Sequence, residues 1–244
     1  MNTLAVILAR AGSAGLPKKH LLPLCGRPVI EYTFDHAMAA RRITRTVVTS
    51  DCHEIRRAAC KAGIATIARP AHLATAEASV QDVMLHALDA IEGNSTFRTD
   101  ALVVLYGNVP VRGAGVIDRA LKMLADTGCD SVRSFCPVGK WHPAWMSQLS
   151  DGRVIPLQAG SIHRRQDLAP LFLHDGAVVA VSRASMLRGR SMPQDPHAFF
   201  GIDRRGIETQ AGETIEIDEL RDLYWAEAVL RSRNEMDPTL RMAI

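Results

Sequence analysis

The stretch ILARAGSAGLPKKHLLPLCGRPVIEY, residues 7–32, decides the fold. Its first residues complete an apolar run, Thr3 to Ala9, rich in branched side chains, which reads as a buried strand. Arg10, Gly12, Gly15, Pro17, Lys18 and Lys19 then break the pattern, and hydrophobic residues return at once. Pro28 suits the first turn of a helix that the spacing carries to Ala40. A strand feeding through a glycine-bearing basic loop into a helix opens a βα unit.

The alternation continues outward from there. Thr46–Ser50 (TVVTS) is a short strand, Cys52–Ala62 a helix stopped by Gly63, and Ile64–Ala68 a third strand. Over Ser79–Glu92, Val80, Val83, Met84, Ala87, Leu88 and Ile91 form one helical stripe. Ala101–Tyr106 (ALVVLY) is a buried strand and Gly115–Asp126 an amphipathic helix. Short strands alternating with helices predict an α/β fold with a mostly parallel sheet. From about Phe135 to Pro170 the pattern loosens around Trp141, Trp145, several prolines and the turn Ser150-Asp151-Gly152, as in a β-rich insertion or protruding arm. Gly176–Ser182 and Thr214–Asp218 (TIEID) read as further strands, and a closing helix runs through Leu230.

Composition narrows the function classes. The 244 residues are 47% hydrophobic and 23% charged, a globular balance. Lys+Arg number 29 against 26 Asp+Glu, and the basic pairs Arg41-Arg42, Arg56-Arg57, Arg164-Arg165 and Arg204-Arg205 form no stripe. With aromatics at only 5%, that argues against a nucleic-acid partner. The five cysteines show no CxxC pair and no finger-like histidine spacing, so they are read as reduced thiols packed in the core of a cytoplasmic protein. The run Leu4 to Ala9 is too short for a signal peptide, and no stretch approaches the ~20 apolar residues of a membrane span.

Open α/β sheets bind ligands outside the carboxyl ends of their strands, where the opening loop lies. Gly12 and Gly15 let backbone N–H groups approach an anion, and Arg10, Lys18 and Lys19 add positive charge. The spacing is neither GxxxxGK nor GxGxxG, so the loop is not a standard P-loop or dinucleotide fingerprint. It reads as a phosphate-binding loop, with an ordinary βα connection bearing exposed lysines as the plainer alternative. In ETIEIDELRD, residues 213–222, strand alternation puts Ile215 and Ile217 on one face and Glu216 and Asp218 on the other. Two carboxylates there suit a hard cation such as Mg²⁺. Taken alone, a half-exposed edge strand whose acids face water is the simpler reading.

Together these segments resemble the acylneuraminate cytidylyltransferase family, the CMP-sialic acid synthetases. Ala9-Arg10-Ala11-Gly12-Ser13-Ala14-Gly15-Leu16-Pro17-Lys18-Lys19-His20 is similar to the family's ARxGSKGLPxKN. Further similar segments follow in order: TSD (Thr49–Asp51), RPAHLA (Arg69–Ala74), PVR (Pro110–Arg112), HP (His142-Pro143), RQDLAP (Arg165–Pro170), DGAVVAV (Asp175–Val181) and IEIDELRDL (Ile215–Leu223). The resemblance implies a single Rossmann-like nucleotidyltransferase domain over residues 1–244, with 135–170 as a dimerisation arm that completes the partner's sugar site. It implies transfer of CMP from CTP to the anomeric hydroxyl of a nonulosonic acid, with Mg²⁺ and loss of pyrophosphate. Arg10, Lys19 and Asp218 would be catalytic. Ala9, Arg10, Gly12, Ser13, Gly15, Lys19, His20, Arg69 and Ser79 would hold the nucleotide. Tyr106, Asn108, Arg165, Gln166 and Asp175 would meet the sugar acid, and Glu216 and Asp218 the metal.

Several positions depart from the family pattern. Ala14 replaces a lysine, His20 an asparagine that contacts the nucleotide, and Asp175 an asparagine. LYGNVP, residues 105–110, stands where the family resembles LQPTSP, and is closer to the LYGDVP of sugar-1-phosphate uridylyltransferases. The alternatives are therefore a different nucleotide or sugar-phosphate acceptor, or a non-catalytic sensing homologue. The intact Glu216/Asp218 pair argues against the latter.

Overall fold

The first strand, β1 (Thr3–Leu8), is apolar from Leu4 to Leu8 because both of its faces are covered. Leu4 and Val6 enter one core cluster, Ala5 and Ile7 the other, as the two-residue period of a strand requires. The computed structural model describes residues 1–12, 15–93, 95–158, 160 and 162–235. After β1 come the two-residue strands β2 (Pro23–Leu24) and β3 (Arg27–Pro28), α1 (Val29–Ala39), β4 (Arg45–Ser50), α2 (His53–Lys61), β5 (Ala65–Ala68), α3 (Val80–Gly93), β6 (Ala101–Tyr106) and α4 (Val116–Thr127). Then follow β7 (Ser131–Pro137), β8 (Ser147–Ser150), β9 (Arg153–Pro156), β10 (Phe172–Ser182), α5 (Arg183–Arg190), β11 (Arg204–Glu208) and α6 (Leu220–Glu235).

The main sheet has the order β11-β7-β10-β6-β1-β4-β5. Strands β6, β1, β4 and β5 are parallel, β10 runs antiparallel to both its neighbours, and β11 is parallel to β7. Helices α1, α2 and α4 pack Ile30, Phe34, Ile55, Ala59, Ile117 and Leu121 on one face. Helices α3 and α5 pack Met84, Leu88, Ile91 and Met186 on the other. Neither α1 nor α2 has a side-chain N-cap bond, so burial of these apolar faces holds them. The expected mostly parallel α/β sheet flanked by helices is the architecture found.

Three details differ from the sequence reading. Thr214–Asp218 is not a strand; its pairing is one antiparallel bridge, Ile215 to Val111. Its partner is the irregular turn after β6, which contains Pro110, and the backbone-to-backbone bonds between them are Ile215 N–H donating to Val111 O (3.1 Å) and Ile217 N–H to Asn108 O (2.8 Å). The alternation nevertheless survives, with Ile215 and Ile217 buried and Asp218 exposed. Second, the segment expected to leave the sheet at about Phe135 begins inside it, because β7 carries the main sheet to Pro137; beyond that, β8 and β9 form a separate β-hairpin exposed along its whole length, in keeping with a β-rich insertion. Third, of the five free cysteines only Cys129 is buried, while Cys25 and Cys60 are exposed. Cys25 sits in the turn joining β2 and β3 at φ 46°, which places it outside any core. Among the described residues no helix is long and apolar enough to cross a membrane.

Candidate functional site

Register brings the site together. Leu8 at the end of β1 stands opposite Thr49 of β4 and Tyr106 of β6, and Ser50 stands opposite Ala68 of β5. The loops leaving those carboxyl ends therefore converge, as expected for an open parallel sheet. They enclose a cleft of about 230 Å³ lined by Ala9, Arg10, Lys19, His20, Arg69, Ser79, Tyr106, Asn108 and Glu216.

One wall is basic. Arg10 Nη1 donates to Thr75 O at 2.8 Å, which ties the opening loop to the loop after β5. Arg69 is buried, its Nη2 donating to Thr49 O at 2.8 Å, and burial lowers its pKa to about 10, still cationic at neutral pH. Ser79 caps α3: its Oγ accepts from Asp82 N–H (3.0 Å) and donates to the Asp82 carboxylate (2.7 Å). His20 is buried, with Nδ1 lacking a hydrogen-bond partner. Burial, then the charges of Lys19 and Arg69, lowers its pKa to about 3, so the ring is neutral.

The other wall is acidic. Asn108 Nδ2 donates to Glu216 Oε1 (3.1 Å), Ile217 O (3.0 Å) and Asp218 Oδ1 (3.4 Å). Burial raises the Glu216 pKa and the charge of Asp218 adds to it, although the Asn108 bond works against both. Asp218 accepts from Lys19 Nζ at 2.7 Å, so the basic loop and the acidic segment meet. Burial, reinforced by Glu216, pushes the Tyr106 phenol up to about 12 and keeps it protonated.

The remaining expected residues lie elsewhere. Ser13 falls outside the described residues. Gly12 is exposed, and Gly15 packs against the backbone of Asp218. Arg165 and Gln166 sit on an exposed single turn, Arg165–Asp167, where Arg165 lines a separate depression with His142. Asp175 lies at the irregularity in β10 and outside the cleft lining. Its oxygens accept from Ser134 Oγ, Ala177 N–H (3.1 Å), Thr209 Oγ1 (2.6 Å) and Thr214 Oγ1 (3.0 Å). Through those bonds Asp175 holds β7, β10 and the start of the acidic segment together. The sequence reading missed the lining contributed by Thr75, Ala76 and Ala78. Their signal was positional, since they follow the carboxyl end of a parallel strand.

Comparison with known proteins agrees with this arrangement. The family model described as cytidylyltransferase matches residues 4–223. An N-acylneuraminate cytidylyltransferase of Streptococcus agalactiae is 33% identical over 78% of the chain, which spans only 46% of that relative's length. A 3-deoxy-manno-octulosonate cytidylyltransferase of Brucella ovis is 35% identical over 53% of the chain and 49% of its own. Among solved structures, a CMP:2-keto-3-deoxy-manno-octonic acid synthetase complexed with CTP superposes with a TM-score of 0.71 at 18% identity, covering 96% of this chain and 100% of its own. That likeness establishes a shared Rossmann-like fold. The chain belongs to the cytidylyltransferase family.

The buried histidines carry a pH prediction. Burial, then the charge of Arg112, likewise lowers the His36 pKa to about 3. An unfolded histidine titrates near 6.5, so between roughly pH 6.5 and 3 the unfolded chain binds protons that the folded chain refuses. Stability should therefore fall as pH drops through that window, by up to about 1.4 kcal/mol per pH unit for each histidine. Urea unfolding of His20→Asn at pH 6, 5 and 4.5 should show a shallower decline than the unmodified chain. Identical slopes would mean that His20 is protonated in the fold.

Proposed function

We propose that this chain is a magnesium-dependent cytidylyltransferase that transfers CMP from CTP to the anomeric hydroxyl of a nonulosonic, sialic-acid-like sugar acid. The observation that carries the reading is the meeting of the basic loop and the acidic segment at Lys19 and Asp218, 2.7 Å apart, on the rim of one cleft. Family membership supports the cytidylyl group, and the names of the relatives support a sugar acid as acceptor.

In this reading Arg10, Lys19 and Arg69 surround the triphosphate and neutralise charge on the departing pyrophosphate. Phosphoryl-type transfer depends on such positioning and neutralisation more than on covalent help. The acceptor hydroxyl gives up its proton to water and its oxygen bonds to the α-phosphorus as the bond from that phosphorus to the bridging oxygen breaks, and pyrophosphate leaves with the electron pair. Ala9, His20 and Ser79 lie where the nucleoside would be seated, and Tyr106 and Asn108 where the acceptor would approach.

The carboxylates fit magnesium. Glu216 Oε1 and Asp218 Oδ1 converge on the single Asn108 nitrogen, which brings two carboxylates to one point. Among the described residues no three His, Cys, Asp or Glu side chains group around a metal position. Two carboxylates nevertheless suffice, because Mg²⁺ keeps waters and takes substrate phosphates as its other ligands. When bound, the ion would supply positive charge to the phosphates. A homodimer is part of the proposal, supported by Trp141, Leu149, Val154, Leu157 and Leu173, which leave apolar surface exposed along the 135–173 segment.

The test is pyrophosphate release with CTP and Mg²⁺ against a panel of eight- and nine-carbon sugar acids, with ATP, UTP and GTP as controls. Release is expected with CTP and one such acid only. Release with UTP and a sugar 1-phosphate would instead favour the second reading, which the LYGNVP turn and the Tyr106 side chain in the cleft support.

A further inference from the structure

Arg112 lies beneath the cleft with only 3% of its surface exposed. Its Nε donates to Ala177 O (2.9 Å), Nη1 to Val109 O (2.7 Å) and Thr33 Oγ1 (3.0 Å), and Nη2 to Tyr106 O (2.8 Å). Nη1 also faces His36 Nδ1 at 3.1 Å, which a neutral ring offers as an acceptor. The partners come from β6 and its following turn, α1 and β10, so one side chain straps three elements. Thr33 reinforces the strap, its hydroxyl lying 3.2 Å from Tyr106 O and 3.3 Å from Val109 O.

None of those partners is a carboxylate. A buried guanidinium held only by neutral acceptors is costly, and apolar residues of similar volume would hold a turn at lower cost. What distinguishes the position is Asn108, one of the two residues between the strapped carbonyls. Asn108 is buried and its amide bonds Glu216, Ile217 O and Asp218 together. The acidic segment lacks a sheet ladder of its own, so the turn after β6 is what fixes it on this side. Nearby negative charge on Arg112 comes from Glu216 and Asp175, which lie across and beside that turn.

We propose that Arg112 is a positioning residue for the metal-binding carboxylates: by fixing the carbonyls of Tyr106 and Val109 it sets Asn108, and through Asn108 it sets Glu216 and Asp218. This rests on the magnesium-dependent reading above. The fork geometry matters as well as the charge, because one planar group reaches carbonyls that diverge. A lysine would keep the charge and lose the strap.

The test is Mn²⁺ binding to the full chain by electron paramagnetic resonance, with CTP binding without metal measured in parallel. Arg112→Lys should weaken Mn²⁺ binding by about tenfold or more, the usual effect of losing an outer-shell support. Metal-free CTP affinity should stay within about threefold, because the basic wall does not touch Arg112. Thr33→Val keeps Arg112 in place and removes one hydroxyl from the strap; it should show the same selective loss at smaller size, and decides the matter if Arg112→Lys fails to fold. Folded variants that bind Mn²⁺ as tightly as the unmodified chain would overturn the proposal. An unmodified chain that binds CTP but no Mn²⁺ would instead sink the carboxylate-pair reading beneath it.

Discussion

Asp218→Asn should reduce pyrophosphate release by about a thousandfold, corresponding to roughly 4 kcal/mol of transition-state stabilisation. The substitution keeps the shape of the side chain and removes its charge. In the proposed reaction that charge has two tasks. It binds the cation, and before the cation arrives it holds Lys19 at 2.7 Å, close to where the triphosphate must enter. Stability should barely change, because the Asp218 side chain is 62% exposed and an ion pair of that kind contributes at most about 1 kcal/mol. Thermal unfolding and turnover should therefore separate, with an unfolding midpoint near that of the unmodified chain and almost no product. Turnover at the unmodified rate would remove Asp218 from the metal site.

The parts of the fold that could be read early are those in which one local pattern has one physical cause. ALVVLY is buried on both faces from Ala101 to Leu105 and is apolar there without interruption, while TVVTS places the branched Val47 and Val48 at its buried centre, and the sheet follows. The Glu216/Asp218 pair emerged from strand alternation even though the segment makes only one bridge, because an extended backbone alternates whether or not a ladder forms. Strand β11 was missed for the opposite reason: RRGIE at the sheet's edge buries only Ile207, which leaves no pattern to detect. Charge was visible but partners were not. Asp175 reads as an extra negative charge near a sugar, yet its acceptor positions are met by Ser134, Ala177, Thr209 and Thr214. Likewise Arg112 reads as the end of a short motif, while its bonds reach Thr33, His36 and Ala177, about 65 to 79 residues away. Such assignments require the three-dimensional arrangement, since nothing local encodes them.

Gly15→Ala should cut turnover by about a hundredfold, the scale expected when reacting groups move apart by roughly 1 Å. The cause is close approach. A Cβ placed on Gly15 would lie 2.6 Å from the Asp218 carbonyl oxygen, a backbone atom with no rotamer to yield. The added methyl group must therefore push the basic loop away from the acidic segment, and with it Lys19 from Asp218. Gly15 is exposed and anchors no core side chain, so the unfolding midpoint should move little. The double variant Gly15→Ala with Asp218→Asn distinguishes this account from a general loosening of the loop. If Gly15 acts by setting the distance between Lys19 and the Asp218 charge, its substitution should cost little further once that charge is gone, and the two losses should be strongly non-additive. If the losses multiply, Gly15 contributes through its own backbone contact with the nucleotide, and the junction of loop and acidic segment is not what limits the rate.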